Sequence, residues 1–453
     1  MRLTFLGATN TVTGSKFLLS INDKKILIDC GLFQGLKELR QRNWTKFPVE
    51  PRTIDAVILT HAHIDHSGYL PVLIKNGFKG KVYCSGATKD LCSILLPDSG
   101  YLQEEEAKLA NKYGYSKHQP AVPLYTRLDA EKSLEHFYEL DFRKSHKIAE
   151  ETYITLIPAG HILGATFIQV KHYQTTLLFS GDLGRPNDPI MRAPSIMQSA
   201  DFMVLESTYG NRLHKKVNPL DELSDIINRT VARGGTVIIP AFAVGRAQHL
   251  LYFMHLLKTD KRIPNVPIYL DSPMAKSATD IFRKHPELHR LSPELSNQVC
   301  EVATYVTTKE ESQALDQEGS PKIIISASGM LEGGRVLHHI RFFAPDAKNT
   351  VVFAGYQAAG TRGADMIGGK GEIKVFGESI PVNAEVQVLS NMSAHADYDE
   401  ILDWLKNFNH HPRKIFITHG EPEAANALKE KIETRFKWRC VVPEYLYSEL
   451  LDN

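Results

Sequence analysis

The stretch DAVILTHAHIDHSG, residues 55–68, joins a short apolar run to a cluster of side chains that bind metals. The run VIL at 57–59 predicts a buried strand, and three histidines and an aspartate follow it: His61, His63, Asp65 and His66. Side chains two positions apart point the same way in an extended segment, so His61 and His63 can hold one ion. Asp65 and His66 can then turn to another. Four such groups would repel one another when protonated, so the spacing predicts metal binding.

Partners for this cluster stand at the ends of other predicted strands. We predict strands at 24–29, 55–60, 152–157, 174–180 and 201–206, and a later one at 414–418. Candidate ligands or acids lie at or just after the carboxyl ends of these runs: Asp29, His61, His161, Asp182, Glu206 and His419. Because ligands bind at that edge of open α/β sheets, we expect these side chains to converge on one cleft.

The residue types in this set limit the chemistry. Imidazole and carboxylate groups without thiolate suit zinc and also permit manganese or iron. The set suffices for two ions about 4 Å apart, which in hydrolytic sites hold an ionised water between them. Simpler interpretations stay open for single residues: alone, Asp29 and Glu206 fit loop hydrogen bonding equally well, and Asp182, in SGDLG, fits a turn.

Composition is that of an ordinary globular protein. Of 453 residues, 43% are hydrophobic and 23% charged, and the length makes two domains the default. A formal net charge of +1 provides no global field for nucleic acid, so a polyanion has to be bound locally. Five scattered cysteines without a CxxC pair, no signal peptide and no apolar run of membrane length lead us to expect a cytoplasmic protein that does not bind membranes.

Alternating strand and helix patterns predict an α/β protein. Residues 98–147 are expected to form a mainly helical insertion that decorates the first sheet. From about 208 a second βα pattern begins, which predicts another parallel sheet, with strands at 236–240, 266–271, 322–326 and 350–355. After a strand at 384–390, helices are predicted at 397–408 and 421–436, on either side of the strand at 414–418.

Taken together, the motifs resemble those of the metallo-β-lactamase superfamily, whose signature HxHxDH is matched at 61–66. Asp29, PAGHILGA at 158–165 and FSGDLG at 179–184 look like its other metal motifs. LESTYGNRLH at 205–214, SAHAD at 393–397 and THGE at 418–421 are similar to motifs A, B and C of the β-CASP nucleases. ISASGMLEGGR at 325–335 and AGYQAAGTRG at 354–363 resemble relatives of the cleavage and polyadenylation specificity factor endonuclease, in particular the bacterial proteins. The likeness extends over essentially the whole chain.

The resemblance implies a fold and a set of ligands. The fold is an αββα metallo-β-lactamase sandwich, 1–207 and 391–453, with an inserted α/β β-CASP domain, 208–390. The family ligand pattern assigns the first zinc to three histidines and the second to an aspartate and two histidines: His61, His63, His161; Asp65, His66, His419. Asp182 would bridge both ions, and Asp29 would orient ligands.

The resemblance also implies a hydrolytic mechanism. A hydroxide between two zinc ions would attack the phosphorus, and His395, as general acid, would protonate the departing 3′ oxygen and leave a 5′-phosphate. Glu206 would raise the pKa of His395, and Asp397 with Glu400 resembles a capping box that opens the following helix. Without the resemblance, His395 reads more readily as a structural histidine.

Substrate preference would depend on other positions. In the family, histidine in motif C goes with RNA enzymes, so His419 favours single-stranded RNA. Phosphate contacts are expected from four residues of the inserted domain: Ser328, Gly329, Arg335 and Arg246. Each of these segments also fits an ordinary tight loop or helix start. One departure stands out, since Ala364 follows GTRG where relatives carry arginine, and the base sits earlier, at Arg362.

Several alternatives stay open. The chain could be a DNA-directed β-CASP nuclease, a small-molecule hydrolase of the thioesterase or lactonase kind, or an inactive scaffold subunit, although the long insertion and the full ligand set argue against the last two. The RNA-binding KH modules of archaeal relatives are not seen, so we expect a compact bacterial-type enzyme. The sequence leaves open whether cleavage is internal or from an end, which RNA is cut, and whether chains form homodimers.

Overall fold

The computed structural model describes residues 1–114, 116–317, 319 and 321–451. Its described residues form two compact units. The first comprises Met1–Glu104, Val122–Leu213 and the segment from His395 onward, and the second comprises Glu105–Ala121 and His214–Ala394. The segment His214–Ala394 of the second unit is thus inserted between two parts of the first unit. The predicted domain limits at 207/208 and 390/391 remain a prediction.

Two sheets build the first unit. In spatial order one contains β22 (Ser448–Leu450), β1 (Arg2–Phe5), β2 (Phe17–Ile21), β3 (Lys24–Ile28), β4 (Ala56–Ile58), β5 (Lys81–Cys84) and β6 (Phe137–Glu139). The other contains β21 (Cys440–Val441), β20 (Lys414–Thr418), β11 (Phe202–Glu206), β10 (Thr175–Phe179), β9 (Thr166–His172), β8 (Thr152–Pro158) and β7 (Ser145–Ala149). All six strands predicted from the first-unit sequence are present. The strand at 414–418 keeps its predicted bounds, and the other five are trimmed or extended by one to three residues.

Parallel pairing brings the strand ends with candidate ligands to one edge of each sheet. β3 runs parallel to β4, with Ile28 opposite Ile58, so Asp29 emerges beside the loop that leads to His61. β11 runs parallel to both β10 and β20, with Glu206 opposite Thr418. The register therefore sets Glu206 and the residue after Thr418 side by side, although they are far apart in sequence.

The core lies between these two sheets, as the αββα arrangement requires. Phe5 and Phe17 of one sheet pack on Phe416 and Phe179 of the other, with ring centroids 5.2 Å apart for Phe5–Phe416 and 5.9 Å for Phe17–Phe179. Aliphatic side chains from inward positions of both sheets fill the rest of the layer. Because a one-residue slip would turn each inward side chain to the other face, this packing fixes the strand register.

Helices flank the sheets of the first unit: α1 (Lys37–Arg42), α2 (Ile64–Ser67), α3 (Leu70–Lys75), α5 (Arg127–Ser133), α13 (Tyr398–Leu405) and α14 (Pro422–Phe436). Helix α4 (Gly86–Tyr113) extends from residues of the first unit into the segment that groups with the second. Among the helices that the structure describes, none combines the length and apolarity needed to cross a bilayer. Short 3-10 helices occupy Pro51–Thr53, Leu134–His136, Pro286–Leu288 and Ser390–Met392.

The prediction of a mainly helical insertion at 98–147 is wrong in its last part. Residues 137–149 contribute β6 and β7, which sit at the edges of the two sheets instead of decorating them. The sequence EHFYEL has apolar residues whose spacing also fits a short strand. Parallel pairing of Phe137 with Val82 buries the phenylalanine and outweighs the local helical pattern.

The second unit contains the predicted second parallel sheet. Its order is β14 (Thr304–Val306), β13 (Ile268–Asp271), β15 (Ile323–Ser326), β12 (Val237–Pro240), β16 (Thr350–Phe353) and β19 (Glu385–Val388), and a hairpin is formed by β17 (Glu372–Val375) and β18 (Glu378–Pro381). Its helices are α6 (Pro219–Ala232), α7 (Arg246–Thr259), α8 (Pro273–Lys284), α9 (Pro293–Glu301), α10 (Lys309–Gln317), α11 (Val336–Phe343) and α12 (Arg362–Ile367).

We predict that Phe416→Ala lowers the free energy of unfolding of the first unit by about 3–5 kcal/mol, because it removes a fully buried ring from between the sheets. Chemical denaturation of the full chain measures the loss. The matched control is Phe342→Ala, since Phe342 is 54% exposed and its removal should change stability by no more than about 0.5 kcal/mol. Equal losses in the two variants would contradict the placement of the core.

Candidate metal centre

The histidine-rich loop lies between β4 and α2 and is held by the chain that follows β3. The Cys30 amide donates to the His66 carbonyl at 2.7 Å, and the Leu32 amide donates to the Ile64 carbonyl at 2.9 Å. A Cβ atom on Gly31 would lie 1.5 Å from the Asp65 carbonyl oxygen, so only glycine allows this approach. The loop is therefore positioned by backbone contacts as well as by its own side chains.

One group of inward-facing ligand atoms comprises His61, His63, His161 and Asp182, all within 4.8 Å of one another. Nδ1 of His63 lies 3.1 Å from Nε2 of His61 and 3.3 Å from Nε2 of His161. Oδ2 of Asp182 lies 3.4 Å from Nε2 of His61 and 3.3 Å from Nε2 of His161. The structure thus brings together four residues from three separate loops, as the strand ends predicted.

A second group comprises Asp65, His66 and His419. Nε2 of His66 lies 3.1 Å from Nε2 of His419, which lies 3.3 Å from Oδ2 of Asp65. Oδ1 of Asp182 faces this group, at 3.2 Å from Nε2 of His66 and 3.7 Å from Nε2 of His419. Asp182 therefore turns one carboxylate oxygen to each group.

Hydrogen bonds on the outer side of the rings determine which nitrogens point inward with lone pairs. Nδ1 of His66 donates to Oδ2 of Asp29 at 2.8 Å, and the Thr60 hydroxyl, which itself donates to Asp29, accepts from Nδ1 of His61 at 3.0 Å. The Thr208 hydroxyl lies 3.0 Å from Nδ1 of His419. These partners leave the Nε2 lone pairs of the three rings directed at the two groups.

The donor set fits divalent cations. Lone pairs at Nε2 of His66 and His419, 3.1 Å apart, repel unless a proton or a cation lies beside them. Within the described part of the chain, no donor hydrogen-bonds to the buried Oδ1 of Asp182. A cation at each group would satisfy these atoms, and imidazole with carboxylate is a donor combination that zinc accepts.

Burial keeps most of these imidazoles neutral. It lowers the pKa of His61 to about 3 and that of His63 to about 4, and it holds the pKa of His161 well below its usual value. For His66 burial also lowers the pKa, but the carboxylates of Asp182, Asp29 and Asp65 outweigh it and raise the pKa well above the usual value. A cation at the second group therefore competes with a proton on His66.

His395 lies beside the two groups of candidate metal ligands. Its Nδ1 lies 3.1 Å from each carboxylate oxygen of Glu206, and its Nε2 lies 3.9 Å from Oδ2 of Asp182. Burial lowers the pKa of His395, but the charges of Glu206 and Asp182 outweigh it and raise the pKa to about 9. The imidazole is therefore protonated at neutral pH, with Nδ1–H held by Glu206 and Nε2–H directed towards the ligand groups.

The loop that carries His395 is fixed to the loop that carries Asp182. His395 forms a β-bridge with Gly184, and the Ala396 amide donates to the Leu183 carbonyl at 2.8 Å. The Leu183 amide in turn donates to Oε1 of Glu206 at 2.6 Å. His395, Glu206 and the loop that carries Asp182 are thus connected by one set of hydrogen bonds.

The predicted capping box is present at the start of α13. The Asp397 carboxylate accepts from the Glu400 amide, and the Glu400 carboxylate accepts from the Asp397 amide. Glu400 also accepts three hydrogen bonds from the Arg185 guanidinium, at 3.0–3.2 Å. Arg185 was not predicted, because its partner lies far along the chain and no local pattern connects the two.

The four residues predicted to contact phosphate lie in the second unit and make protein contacts there. Arg335 donates to Oδ1 of Asp271 at 2.7 Å and to the Thr307 carbonyl at 2.7 Å. The Ser328 hydroxyl accepts from the Glu332 amide at 3.1 Å, and the Gly329 carbonyl accepts from the Gln357 side chain at 3.0 Å. Arg246 is largely buried at the start of α7. Their contact with substrate remains a prediction.

The contacts of Arg362 and Ala364 account for the departure of the GTRG segment from the family pattern. Arg362 donates to the backbone carbonyls of Leu331 and Lys374, so its guanidinium ties three segments of the second unit together. The Ala364 amide donates to the Thr361 hydroxyl in the first turn of α12. The base at 362 therefore serves as a structural donor, and alanine at 364 fits the capped helix start.

Comparisons with known proteins agree with this geometry. Family models match at 12–224 (metallo-beta-lactamase superfamily), 247–366 (Beta-Casp domain) and 379–443 (Zn-dependent metallo-hydrolase RNA specificity domain). Ribonuclease TTHA0252 of Thermus thermophilus is 35% identical over 443 residues, 96% of each chain. Transcription termination factor FttA of Methanosarcina mazei is 35% identical over 474 residues, which cover 96% of this chain and 70% of the relative.

A solved structure shares the fold. The crystal structure of a protein of unknown function from Enterococcus faecalis superposes with a TM-score of 0.53 at 13% identity and covers 99% of both chains. At that identity the likeness bears on the fold alone. The sequence relatives, by contrast, match nearly the whole chain at a level that shows common family membership. The chain therefore belongs to the metallo-β-lactamase superfamily and, within it, to the β-CASP branch of metal-dependent nucleases.

Proposed function

We propose that the protein is a zinc-dependent ribonuclease that hydrolyses phosphodiester bonds of single-stranded RNA and leaves 5′-phosphate ends. The observation that carries the proposal is the imidazole of His395, whose Nδ1 contacts Glu206 and whose Nε2 faces two ligand groups that share Asp182. The name of the Thermus relative, a ribonuclease, and the RNA specificity domain matched at 379–443 support RNA as the substrate class.

We assign one zinc ion to the group of His61, His63 and His161 and the other to the group of Asp65, His66 and His419, with Asp182 shared. Two such ions, when bound, supply positive charge against the phosphoryl oxygens and lower the pKa of coordinated water. The same donors also accept manganese or iron. Asp29, Thr60 and Thr208 keep the ligand rings in the required tautomer.

The protein supplies the acid. Since Glu206 accepts the Nδ1 proton of His395, the proton on Nε2 remains for transfer to the leaving oxygen. Departure and protonation of the 3′ oxygen leave a 3′-hydroxyl on one fragment and the phosphate on the 5′ end of the other. Nothing in this step requires a ribose 2′-hydroxyl, so a DNA-directed nuclease is the second candidate, and the preference depends on the substrate channel.

We also propose a cytoplasmic enzyme. The described cysteines are all free thiols, and Cys30, Cys84, Cys92 and Cys440 are buried, which fits a reducing compartment. Association of two chains stays an open hypothesis.

The first test incubates the purified chain with end-labelled RNA and DNA of the same sequence, with and without a chelator. We expect cleavage of RNA, loss of activity with the chelator, recovery on addition of zinc, and 5′-phosphate product ends detected by mass spectrometry. Cleavage of DNA alone would favour the second candidate. Cleavage that survives the chelator would contradict the metal assignment.

Metal binding and acid catalysis should separate in two variants. Asp182→Ala removes the shared carboxylate, so we expect it to lower bound zinc and abolish turnover. His395→Ala should keep its zinc and reduce kcat by roughly 100- to 10,000-fold, because it removes only the proton donor. Elemental analysis and single-turnover kinetics measure the two effects, and exposed His410→Ala is the histidine control. Equal zinc loss in the two test variants would sink this division of roles.

The acid should also set the alkaline side of the pH profile. The Glu206 charge raises the pKa of His395, which favours a protonated donor at neutral pH. Glu206→Gln removes that charge and lowers the pKa, so His395 loses its proton earlier and the decline of kcat on the alkaline side moves to lower pH. The exposed Glu423→Gln serves as control. An unchanged alkaline decline in Glu206→Gln would contradict His395 as the acid.

A further inference from the structure

A solvent-exposed tryptophan, Trp44, lies just after α1, in the segment that follows the contacts of Cys30 and Leu32 with the histidine-rich loop. Trp44 is 58% exposed, whereas Trp404 is 6% exposed. Tryptophan is usually highly buried on average, because its large ring gains much from leaving water. Exposure of this side chain leaves its ring available for stacking against a ligand.

Basic side chains share the face of Trp44. Lys37, Arg40 and Trp44 follow the spacing i, i+3 and i+7, and helical-type bonding continues past α1, since the Trp44 amide donates to the Gln41 carbonyl at 3.0 Å. This spacing lines side chains along one face of a helix. Lys37, Arg40 and Lys46 are exposed, and residues 37–46 carry four basic side chains against the single acidic Glu38. In a chain of net charge +1, this is a local concentration of positive charge.

Hydrogen bonds connect this segment to the catalytic centre within the first unit. The Asn43 side chain accepts from the Phe33 amide at 3.0 Å and donates to the Phe33 carbonyl at 2.8 Å. The preceding residue, Leu32, is bonded to Ile64, which lies between two candidate ligands. Three steps between neighbouring residues, at about 3.80 Å each, and the two hydrogen-bonded contacts connect Trp44 to Asp65. The Cα of Trp44 therefore lies within roughly 25 Å of that of Asp65. A few nucleotides of extended RNA span such a distance.

We propose that Trp44, Lys37, Arg40 and Lys46, the α1 platform, bind single-stranded RNA outside the catalytic centre. The indole of Trp44 stacks on a base, and the three cations contact flanking phosphates, which is how proteins bind single strands with little sequence preference. The platform rests on the proposed function, because it assumes that RNA is the substrate. A protein partner would also cover a tryptophan, but the clustered positive charge favours a polyanion.

The test measures binding of a fluorescein-labelled RNA of about ten uridines by anisotropy. Binding is followed in the His395→Ala background, which keeps the predicted metal ligands and slows cleavage. We expect Trp44→Ala to weaken binding by roughly 5- to 100-fold, and Trp44→Phe, which keeps a stacking ring, to weaken it far less. Lys37→Ala combined with Arg40→Ala should reduce the slope of log affinity against log salt by about 1.4, since two phosphate contacts are lost.

The matched controls are Tyr173→Ala and Lys171→Ala. Tyr173 is 52% exposed in the turn between β9 and β10, at the opposite end of those strands from His161 and Asp182. These controls should bind RNA like the parent protein, which tests whether any exposed aromatic or basic side chain suffices. Circular dichroism of every variant confirms folding.

The outcomes distinguish the platform from the ribonuclease assignment. If wild-type protein cleaves RNA but Trp44→Ala changes neither affinity nor KM, the platform is wrong and the proposed function stands. If affinity depends on Trp44 but no metal supports RNA cleavage, the ribonuclease assignment is wrong and the platform stands. If Trp44→Ala changes the oligomeric state and leaves RNA affinity unchanged, Trp44 belongs to a protein interface and the platform is again wrong.

Discussion

The central constraint of the structure is a set of lone pairs that face one another at close range. Nε2 of His66 and of His419 lie 3.1 Å apart, and Asp182 points a carboxylate oxygen at each ligand group. Such an arrangement is unfavourable in a protein interior unless positive charge occupies it. Asp29 and Thr60 nevertheless fix the rings in this orientation from behind. The ligands are therefore held in place before any ion arrives, with a proton on His66 supplying positive charge.

The sandwich makes this concentration of ligands achievable. Packing of Phe5 and Phe17 against the other sheet fixes the register, and register fixes which residues follow each strand at the ligand edge. The pairing of β11 with β20 brings Glu206 opposite Thr418 and so sets Glu206, which contacts His395, beside the loop that carries His419. Buried apolar residues thus position polar ones, and the site depends on core packing that touches no substrate.

Sequence reasoning reached the strand ends and the second parallel sheet, because each leaves a local signature in spacing or in alternating polarity, and the family resemblance supplied the two ligand groups. It failed at 137–149, where pairing with β5 and β8 outweighed a helical pattern. It also missed Arg185 and Thr208, because their partners, Glu400 and His419, are contiguous with them only in space. The exposure of Trp44 could not be predicted either, because neither the composition of its segment nor its spacing distinguishes it from a core residue.

The order of segments along the chain has a consequence for biosynthesis. The segments that follow β4, β8 and β10 supply most of the candidate ligands, but His395 and His419 follow the inserted segment His214–Ala394. A nascent chain on the ribosome therefore lacks the proposed proton donor, His395, and one proposed metal ligand, His419, until the last segment emerges, and β20 cannot join β11 before then. Under the proposed function, the messenger being translated is in this way protected from the enzyme it encodes until synthesis is nearly finished.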